Sequence, residues 1–204
     1  TLFMQNRQLG TSSLEVSPLC FGCNVFGWTA DEEMSFRLLD GWLDAGFNFY
    51  DTADVYSRWH DGNEGGESET IMGKWLASRG GRDKIVLATK FGMDMGDGKV
   101  GLSPEYMVRA VEDSLRRLQT DYIDLYQYHN PRLDVIQRED TLGALEDLKA
   151  EGKIRHYAVA VGPDIGWREE GMYTITERKL PAELIYSILE QDPADVMIEA
   201  AEKA

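Results

Sequence analysis

Short apolar runs alternate with longer amphipathic segments along most of this chain. The apolar runs centre near residues 20, 49, 88, 125, 158 and 185, and runs such as 85–89, IVLAT, are apolar on both faces. Between them, side chains recur at helical intervals, as Phe36, Leu39 and Leu43 do in the segment 29–46. Spacings of roughly 27–39 residues between strands are typical of right-handed βαβ crossovers in a parallel sheet. The pattern therefore predicts an α/β fold with about six strand–helix units.

Turn and capping residues indicate where several of these elements begin. The stretch 10–13 predicts a short hairpin ahead of the first strand of the series. Thr29 and Glu32 have capping-box spacing and predict the start of the first helix. Ser103 and Pro104 offer an N-cap and a first-turn proline for a later helix.

Two architectures fit this alternation: a doubly wound open sheet and a (β/α) barrel. A doubly wound dinucleotide-binding fold predicts a glycine-rich phosphate fingerprint after the first strand, which residues 20–28, CFGCNVFGW, do not supply. A barrel instead predicts polar side chains at the carboxyl ends of several strands. No linker divides the chain, so residues 1–204 are predicted to form one domain, which closes with a weaker strand at 183–188 and a helix at 193–204.

Ionisable side chains gather at the predicted ends of successive strands. Asp51 ends the second strand, Lys90 the third and His129 the fourth, while Tyr56 follows Asp51 within five positions. Alternation along the strands points the three strand residues into one mouth at equivalent heights. Each residue type is common at a strand end for structural reasons, but their conjunction is much less expected by chance.

These four groups have compatible chemistry. A tyrosine hydroxyl has a pKa of about 10, and a neighbouring ammonium is expected to lower it. A carboxylate beside the lysine would keep that ammonium charged and oriented, and a histidine could hydrogen-bond a substrate oxygen. The sequence thus predicts that Asp51 orients Lys90, and that Lys90 tunes Tyr56 to protonate a carbonyl oxygen while a hydride reaches the carbon.

The composition narrows the classes of partner. The 204 residues carry a net charge of -15, which disfavours nucleic acid and anionic membrane surfaces. No apolar run reaches the ~18 residues of a membrane span. Two cysteines are too few for a disulfide framework, and they make a reducing, cytoplasmic compartment the default expectation. The spacing of Cys20 and Cys23 leaves a redox or zinc site open, although two small residues at a strand end are the favoured interpretation.

Several motifs, in family order, resemble the aldo-keto reductase family. They span nearly the whole chain and are EVSPLCFGC, GFNFYDTADVY, GGESETIMGKWL, IVLATKFG, SLRRLQTDYIDLYQYHNP and LEDLKAEGKIRHYAVAVG. The resemblance implies a (β/α)8 TIM-type barrel that reduces aldehydes and ketones with NADPH. It also implies that the four residues at the strand ends form a catalytic tetrad, with Tyr56 as the general acid. Trp28 and Trp59 are implied as aromatic residues of the pocket for a small carbonyl substrate.

The expected cofactor site departs from the family's pattern. Family members place a Ser-Asn pair and a Gln against the nicotinamide carboxamide, and these positions align with Ala160, Val161 and Glu183. Apolar side chains make no hydrogen bonds, and an ionised carboxylate can only accept them. These three residues and Asp51 are the expected contacts of NADPH, and we expect its binding to be weak or absent.

The length of the chain is a second departure from the family's pattern. About six of the eight units of a family barrel are visible, so the barrel is expected to be incomplete at its C-terminal end. Outer strands without neighbours expose backbone groups, which predicts self-association into a homo-oligomer. These departures keep open a second function class, in which a catalytically silent member has a structural or regulatory role.

A third class, a metal-dependent barrel hydrolase, needs several ligands close together. The chain has three histidines, His60, His129 and His156, and no ligand motif joins them. We therefore expect no metal site, and carbonyl reduction remains the leading hypothesis.

Overall fold

The computed structural model describes residues 5–96, 98–162, 167–192 and 194–204, in which an antiparallel hairpin precedes a parallel sheet. The hairpin strands are β1 (Arg7–Gln8) and β2 (Glu15–Val16). The sheet contains, in spatial as in chain order, β3 (Cys20–Gly22), β4 (Phe49–Asp51), β5 (Val86–Phe91), β6 (Ile123–His129), β7 (Ile154–Ala160) and β8 (Ala182–Glu183). The six strands curl into part of a barrel, which confirms the predicted fold of (β/α)8 type with six of its units.

Helices connect the strands and cover the outer face of the sheet. They are α1 (Glu32–Asp44), α2 (Glu67–Arg79), α3 (Pro104–Leu118), α4 (Leu133–Ile136), α5 (Glu139–Ala150), α6 (Trp167–Thr176) and α7 (Ala194–Lys203). The sequence pattern does not indicate α4 or α6. The first is a single turn, and the second contains a glycine and β-branched residues that lower helix propensity.

Three element boundaries can be compared with the capping residues and strand limits that the sequence predicts. Ser103 caps α3 as predicted, with its hydroxyl accepting a hydrogen bond from the N–H of Tyr106. The predicted cap at Thr29 is wrong, because Asp31 lies closer to the helix and its carboxylate accepts from the N–H of Met34 at 2.8 Å. The predicted sixth strand forms but its bounds of 183–188 are wrong: pairing with β7 is confined to β8, and Ser187 instead makes an isolated antiparallel bridge with Glu190.

Alternation along the strands separates two cores. Outward-facing residues such as Tyr50, Leu87 and Tyr126 are fully buried beneath the helices. A smaller inward-facing cluster joins the hairpin to the sheet and consists of Leu14, Val16, Val86, Ala88, Leu125 and Ala158. The hairpin therefore covers the lower part of the inner face, and the polar side chains lie above it at the carboxyl end.

Candidate active site

Lys90 lies at the centre of the polar cluster at the carboxyl end of the sheet. Its side chain is 1% exposed, forms an ion pair with Asp51, and donates from Nζ to the hydroxyl of Tyr56 at 3.0 Å. The ammonium also lies 5.1 Å from the centroid of the Tyr56 ring. The structure thus brings three predicted site residues into one hydrogen-bonded chain.

Strand register places these side chains. Asp51 pairs with Ala88 on β5, and Lys90 pairs with Gln127 on β6, so the acid and the lysine share the inner face. The segment that leaves β4 is tied to β5, because the N–H of Asp54 donates to the carbonyl of Lys90 at 3.0 Å. The loop that follows is thereby held over the end of β5.

Side-chain hydrogen bonds fix the loop that carries Tyr56. Ser57 has a left-handed backbone with φ of 72°, a conformation that costs a non-glycine residue on the order of 1 kcal/mol or more. Its hydroxyl donates to the carbonyl of Phe26 at 2.7 Å, and its own carbonyl accepts from Asn63 Nδ2 at 2.8 Å. These contacts offset the strain and hold the adjacent Tyr56 in place.

Burial and charge act in opposite directions on the ion pair. Burial raises the pKa of Asp51 to about 7, although the charge of Lys90 opposes the change. Burial would lower the pKa of Lys90, but the carboxylates of Asp51 and Glu183 raise it above its ordinary value. Lys90 therefore remains charged throughout the neutral pH range.

The pKa of Tyr56 is raised to about 12 rather than lowered. Burial is the largest cause, Asp51 adds to it, and the Lys90 ammonium offsets only part of the increase. The expectation that Lys90 lowers the pKa of Tyr56 is correct for the interaction between these two residues. It is wrong for the net pKa, because the spacing of residues does not show how strongly burial desolvates the hydroxyl. The hydroxyl is consequently protonated at neutral pH, as a proton donor must be.

His129 faces the same hydroxyl-bearing ring. Its imidazole centroid lies 5.9 Å from that of Tyr56, edge to face at 83°. Burial, and then the charge of Lys90, lowers the pKa of His129 to about 3, so the ring is neutral near pH 7. Its Nδ1 is buried and makes no hydrogen bond within the described part of the chain. The fourth predicted residue thus joins the cluster with an unused polar atom.

Gln127 connects two carboxylates and was not among the predicted site residues. Its Nε2 donates to Asp51 Oδ1 and to Glu183 Oε2, each at 3.1 Å. The signal was the inward face that Gln127 shares with His129, where a polar residue between strand neighbours demands hydrogen-bond partners. Glu183 also lies 3.4 Å from Lys90 Nζ through its Oε2.

The other residues expected at the cofactor lie at the ends of neighbouring strands. Ala160 pairs with Glu183 across β7 and β8, and both Ala160 and Val161 are buried. Their apolar side chains supply no hydrogen-bond donor there. A cavity of about 370 Å³ adjoins this region on the inner face, and its lining includes Asp51, Gln127 and Glu183.

Of the two predicted pocket tryptophans, Trp59 lies next to Tyr56 and Trp28 packs against Trp59. Trp28 and Trp59 form an edge-to-face pair with ring centroids 5.6 Å apart, and Trp59 lies 6.2 Å from the Tyr56 ring. Their side chains are 44% and 50% exposed. They form an accessible aromatic wall that borders the Tyr56 ring through Trp59, while their contact with a substrate stays a prediction.

The alternative sites find no support in the described residues. His156 bonds Ser13 within the hairpin region rather than approaching His129, and no group of three His, Cys, Asp or Glu side chains in the described ranges could hold a metal ion. Cys20 and Cys23 are free, and burial raises the pKa of Cys23 well above its ordinary value, so its thiolate is disfavoured.

In the same ranges, no helix has both the length and the apolar character needed to cross a membrane.

The fold and the site together define a class of protein: a parallel α/β barrel with a carboxylate, lysine, tyrosine and histidine at the carboxyl ends of its strands. The chain belongs to the aldo/keto reductase family, whose model matches residues 18–202. This confirms the resemblance seen in the motifs.

Proteins named as oxidoreductases are among those to which the chain is similar. It is 40% identical to the uncharacterized oxidoreductase YqkF of Bacillus subtilis, over 77% of this chain and 49% of that protein. It is 35% identical to the aryl-alcohol dehydrogenase [NADP(+)] of Phanerodontia chrysosporium, over 78% of this chain and 44% of that protein. The chain thus spans about half the length of either relative.

Solved structures agree with this assignment. The holo form of aldo-keto reductase AKR11C1 from Bacillus halodurans superposes with a TM-score of 0.77 at 38% sequence identity. The match covers 97% of this chain and 64% of that chain.

Proposed function

We propose that this site reduces aldehydes or ketones to alcohols, with hydride from NADPH and a proton from Tyr56. The observation that carries the proposal is the 3.0 Å contact between Lys90 Nζ and the Tyr56 hydroxyl, next to the buried ion pair with Asp51. Membership of the aldo/keto reductase family supports the same reaction class. A purely structural role is less favoured, because desolvated ionisable groups cost stability and cluster at functional sites.

The aromatic wall supports an aryl aldehyde as the substrate. Trp59 lies edge to face with the Tyr56 ring and Trp28 packs on Trp59, so a flat aromatic ring could pack against this wall with its carbonyl oxygen towards the phenol. The aryl-alcohol dehydrogenase [NADP(+)] among the relatives is consistent with that substrate class.

The donor set at the strand ends fits the reacting end of a nicotinamide cofactor in one respect. The half-exposed carboxylate of Glu183 could accept a hydrogen bond from a carboxamide N–H, and Asp51 lies nearby. Ala160 and Val161 offer no side-chain donor to the carboxamide oxygen, so the hold is expected to be weak. When bound, NADPH would supply the hydride for the carbonyl carbon.

The chain's own residues account for the proton. Tyr56 holds it at neutral pH because its pKa is raised to about 12. As negative charge develops on the substrate oxygen, the phenol proton moves to it, and the Lys90 ammonium stabilises the phenolate that remains. The neutral imidazole of His129 can donate one N–H to the same oxygen without adding a charge.

The test is NADPH oxidation by the purified chain with a panel of aryl and aliphatic aldehydes. We expect turnover with aryl aldehydes and a loss of roughly 10²–10⁴-fold in Tyr56→Phe, since general acid catalysis contributes about that factor. The matched control is Tyr122→Phe, which removes a hydroxyl next to Ile123, at the opposite end of β6 from the site. Equal turnover in both variants, or none in the wild type, would contradict the proposal.

A further inference from the structure

Two carboxylates share one lysine at the carboxyl end of the sheet. Lys90 pairs with Asp51, and Glu183 Oε2 lies 3.4 Å from the same Nζ. Gln127 completes the arrangement, because its Nε2 lies 3.1 Å from both Asp51 Oδ1 and Glu183 Oε2. Glu183, at the end of β8, is thus joined to β4 through side chains of β5 and β6.

We propose that Glu183 is a positioning residue for the reduction, which orients Lys90 and adds a second negative charge beside the Asp51–Lys90–Tyr56 chain. The inference rests on the proposed function for its catalytic meaning, and on contacts within the structure for its physical content.

The charge of Glu183 acts on every ionisable group of the cluster that lies near it. It contributes to raising the pKa of Asp51, of Tyr56 and of Lys90, in each case behind burial and the nearest charge. The ionisable groups that face this cluster come from five strands and the loop after β4, and they are Cys20, Asp51, Tyr56, Lys90, His129 and Glu183. Lys90 is the one cation among them, so each carboxylate changes the balance.

The direction in which neutralising Glu183 changes the pKa of Asp51 therefore follows from the sign of the charge that is removed. A like charge near a carboxyl disfavours its ionised form, so Asp51 should ionise at lower pH once the second carboxylate is gone. Glu183→Gln preserves the shape of the side chain and an oxygen that can still accept from Gln127 Nε2. The variant separates the charge of Glu183 from its packing.

The experiment follows the Asp51 carboxyl by NMR in protein labelled at the aspartate side-chain carbon, with neither substrate nor cofactor present. Its resonance is assigned by its disappearance in Asp51→Asn. We expect the midpoint, near pH 7 in the wild type, to fall by roughly one pH unit in Glu183→Gln. The control Glu151→Gln removes a surface carboxylate that pairs with Lys153 just before β7, at the other end of the sheet, and should leave the midpoint unchanged.

A second variant and a second measurement provide independent checks of this proposal. Glu183→Ala should lower the midpoint in the same direction, and a midpoint unchanged in both Glu183 variants would overturn the proposal. In assays with NADPH, the inflection of the pH–rate profile near pH 7 should move with the NMR midpoint, which a merely structural contact would not cause. If no reductase activity is found, the proposed function fails, while the NMR midpoint still decides whether Glu183 sets the charge of the cluster.

Discussion

Lys90 and Asp51 form an ion pair that is almost completely removed from solvent: the side chain of Lys90 is 1% exposed and that of Asp51 12%. Such a pair is weak evidence for stability, because desolvation offsets much of the attraction, but removal of one partner leaves an uncompensated charge. If Lys90 is removed, the Asp51 carboxylate can become neutral by taking up a proton, since burial already raises its pKa to about 7.

We expect Lys90→Met to destabilise the fold more at pH 8 than at pH 5. At pH 8 the Asp51 carboxylate would be buried without its cation, at a cost of about 3–5 kcal/mol, whereas at pH 5 it takes up a proton and becomes neutral. Urea unfolding at the two pH values measures the difference. In the double variant Lys90→Met with Asp51→Asn, the buried carboxylate is gone as well and Glu183 is half exposed, so nearly equal destabilisation at both pH values is expected.

The neutral state of His129 gives a pH dependence of the opposite sign. Its pKa falls from 6.5 to about 3 on folding, so its contribution to stability is present above pH 6.5 and is lost as the pH falls towards 3. Between pH 6.5 and pH 5 the loss should be about 2 kcal/mol, since one proton is worth about 1.4 kcal/mol per pH unit. We expect His129→Gln to flatten this part of the stability curve in urea unfolding.

The exposed His60 supplies the control for that measurement. His60→Gln should follow the wild-type curve. If His129→Gln and His60→Gln have equal slopes between pH 6.5 and pH 5, the buried imidazole is not the cause.

The geometry of the cluster was predictable from periodicity. Two-residue alternation placed Asp51, Lys90 and His129 on one face of adjacent strands, and parallel pairing could only bring their ends together. Periodicity could not place Glu183 in the same way, because β8 is only two residues long, and Glu183 was expected near the site from the family resemblance alone. Self-association also stays a prediction, since it depends on surfaces that periodicity does not describe.

The electrostatics were not predictable in the same way. Spacing shows which charges are neighbours, and it gave the correct sign for the interaction of Lys90 with Tyr56. The net pKa of Tyr56 depends on how deeply the hydroxyl is buried, which depends in turn on how the loop around Ser57 is held. Burial is a property of the assembled fold rather than of any short motif.

We expect Gly73→Ala to destabilise the chain by about 1–3 kcal/mol. Gly73 lies where α2 crosses the end of α3, and a Cβ there would lie 2.0 Å from the carbonyl oxygen of Arg117 and 2.9 Å from the Cα of Leu118. Backbone atoms of a packed helix cannot move aside as a flexible side chain can. The control Gly41→Ala in α1 meets no atom within 4 Å and should be stabilising or neutral, because alanine favours helix. Thermal unfolding that ranks the two variants in the other order would contradict this account of the contact.

The last prediction concerns the cofactor. The chain's net charge of -15 opposes an anionic dinucleotide, so affinity depends on local donors, and the buried side chains of Ala160 and Val161 supply none. We expect Ala160→Ser combined with Val161→Asn to strengthen NADPH binding by roughly tenfold. Two added hydrogen bonds contribute about 0.5–1.5 kcal/mol each, and part of this free energy offsets the cost of burying the new polar side chains. Fluorescence titration with NADPH measures the change. Ala158→Ser, one strand repeat below the site on the same face of β7, controls for a buried hydroxyl alone and should not improve binding. Tight binding by the wild type, unchanged in the double variant, would mean that the carboxamide is held by groups other than the ends of β7 and β8.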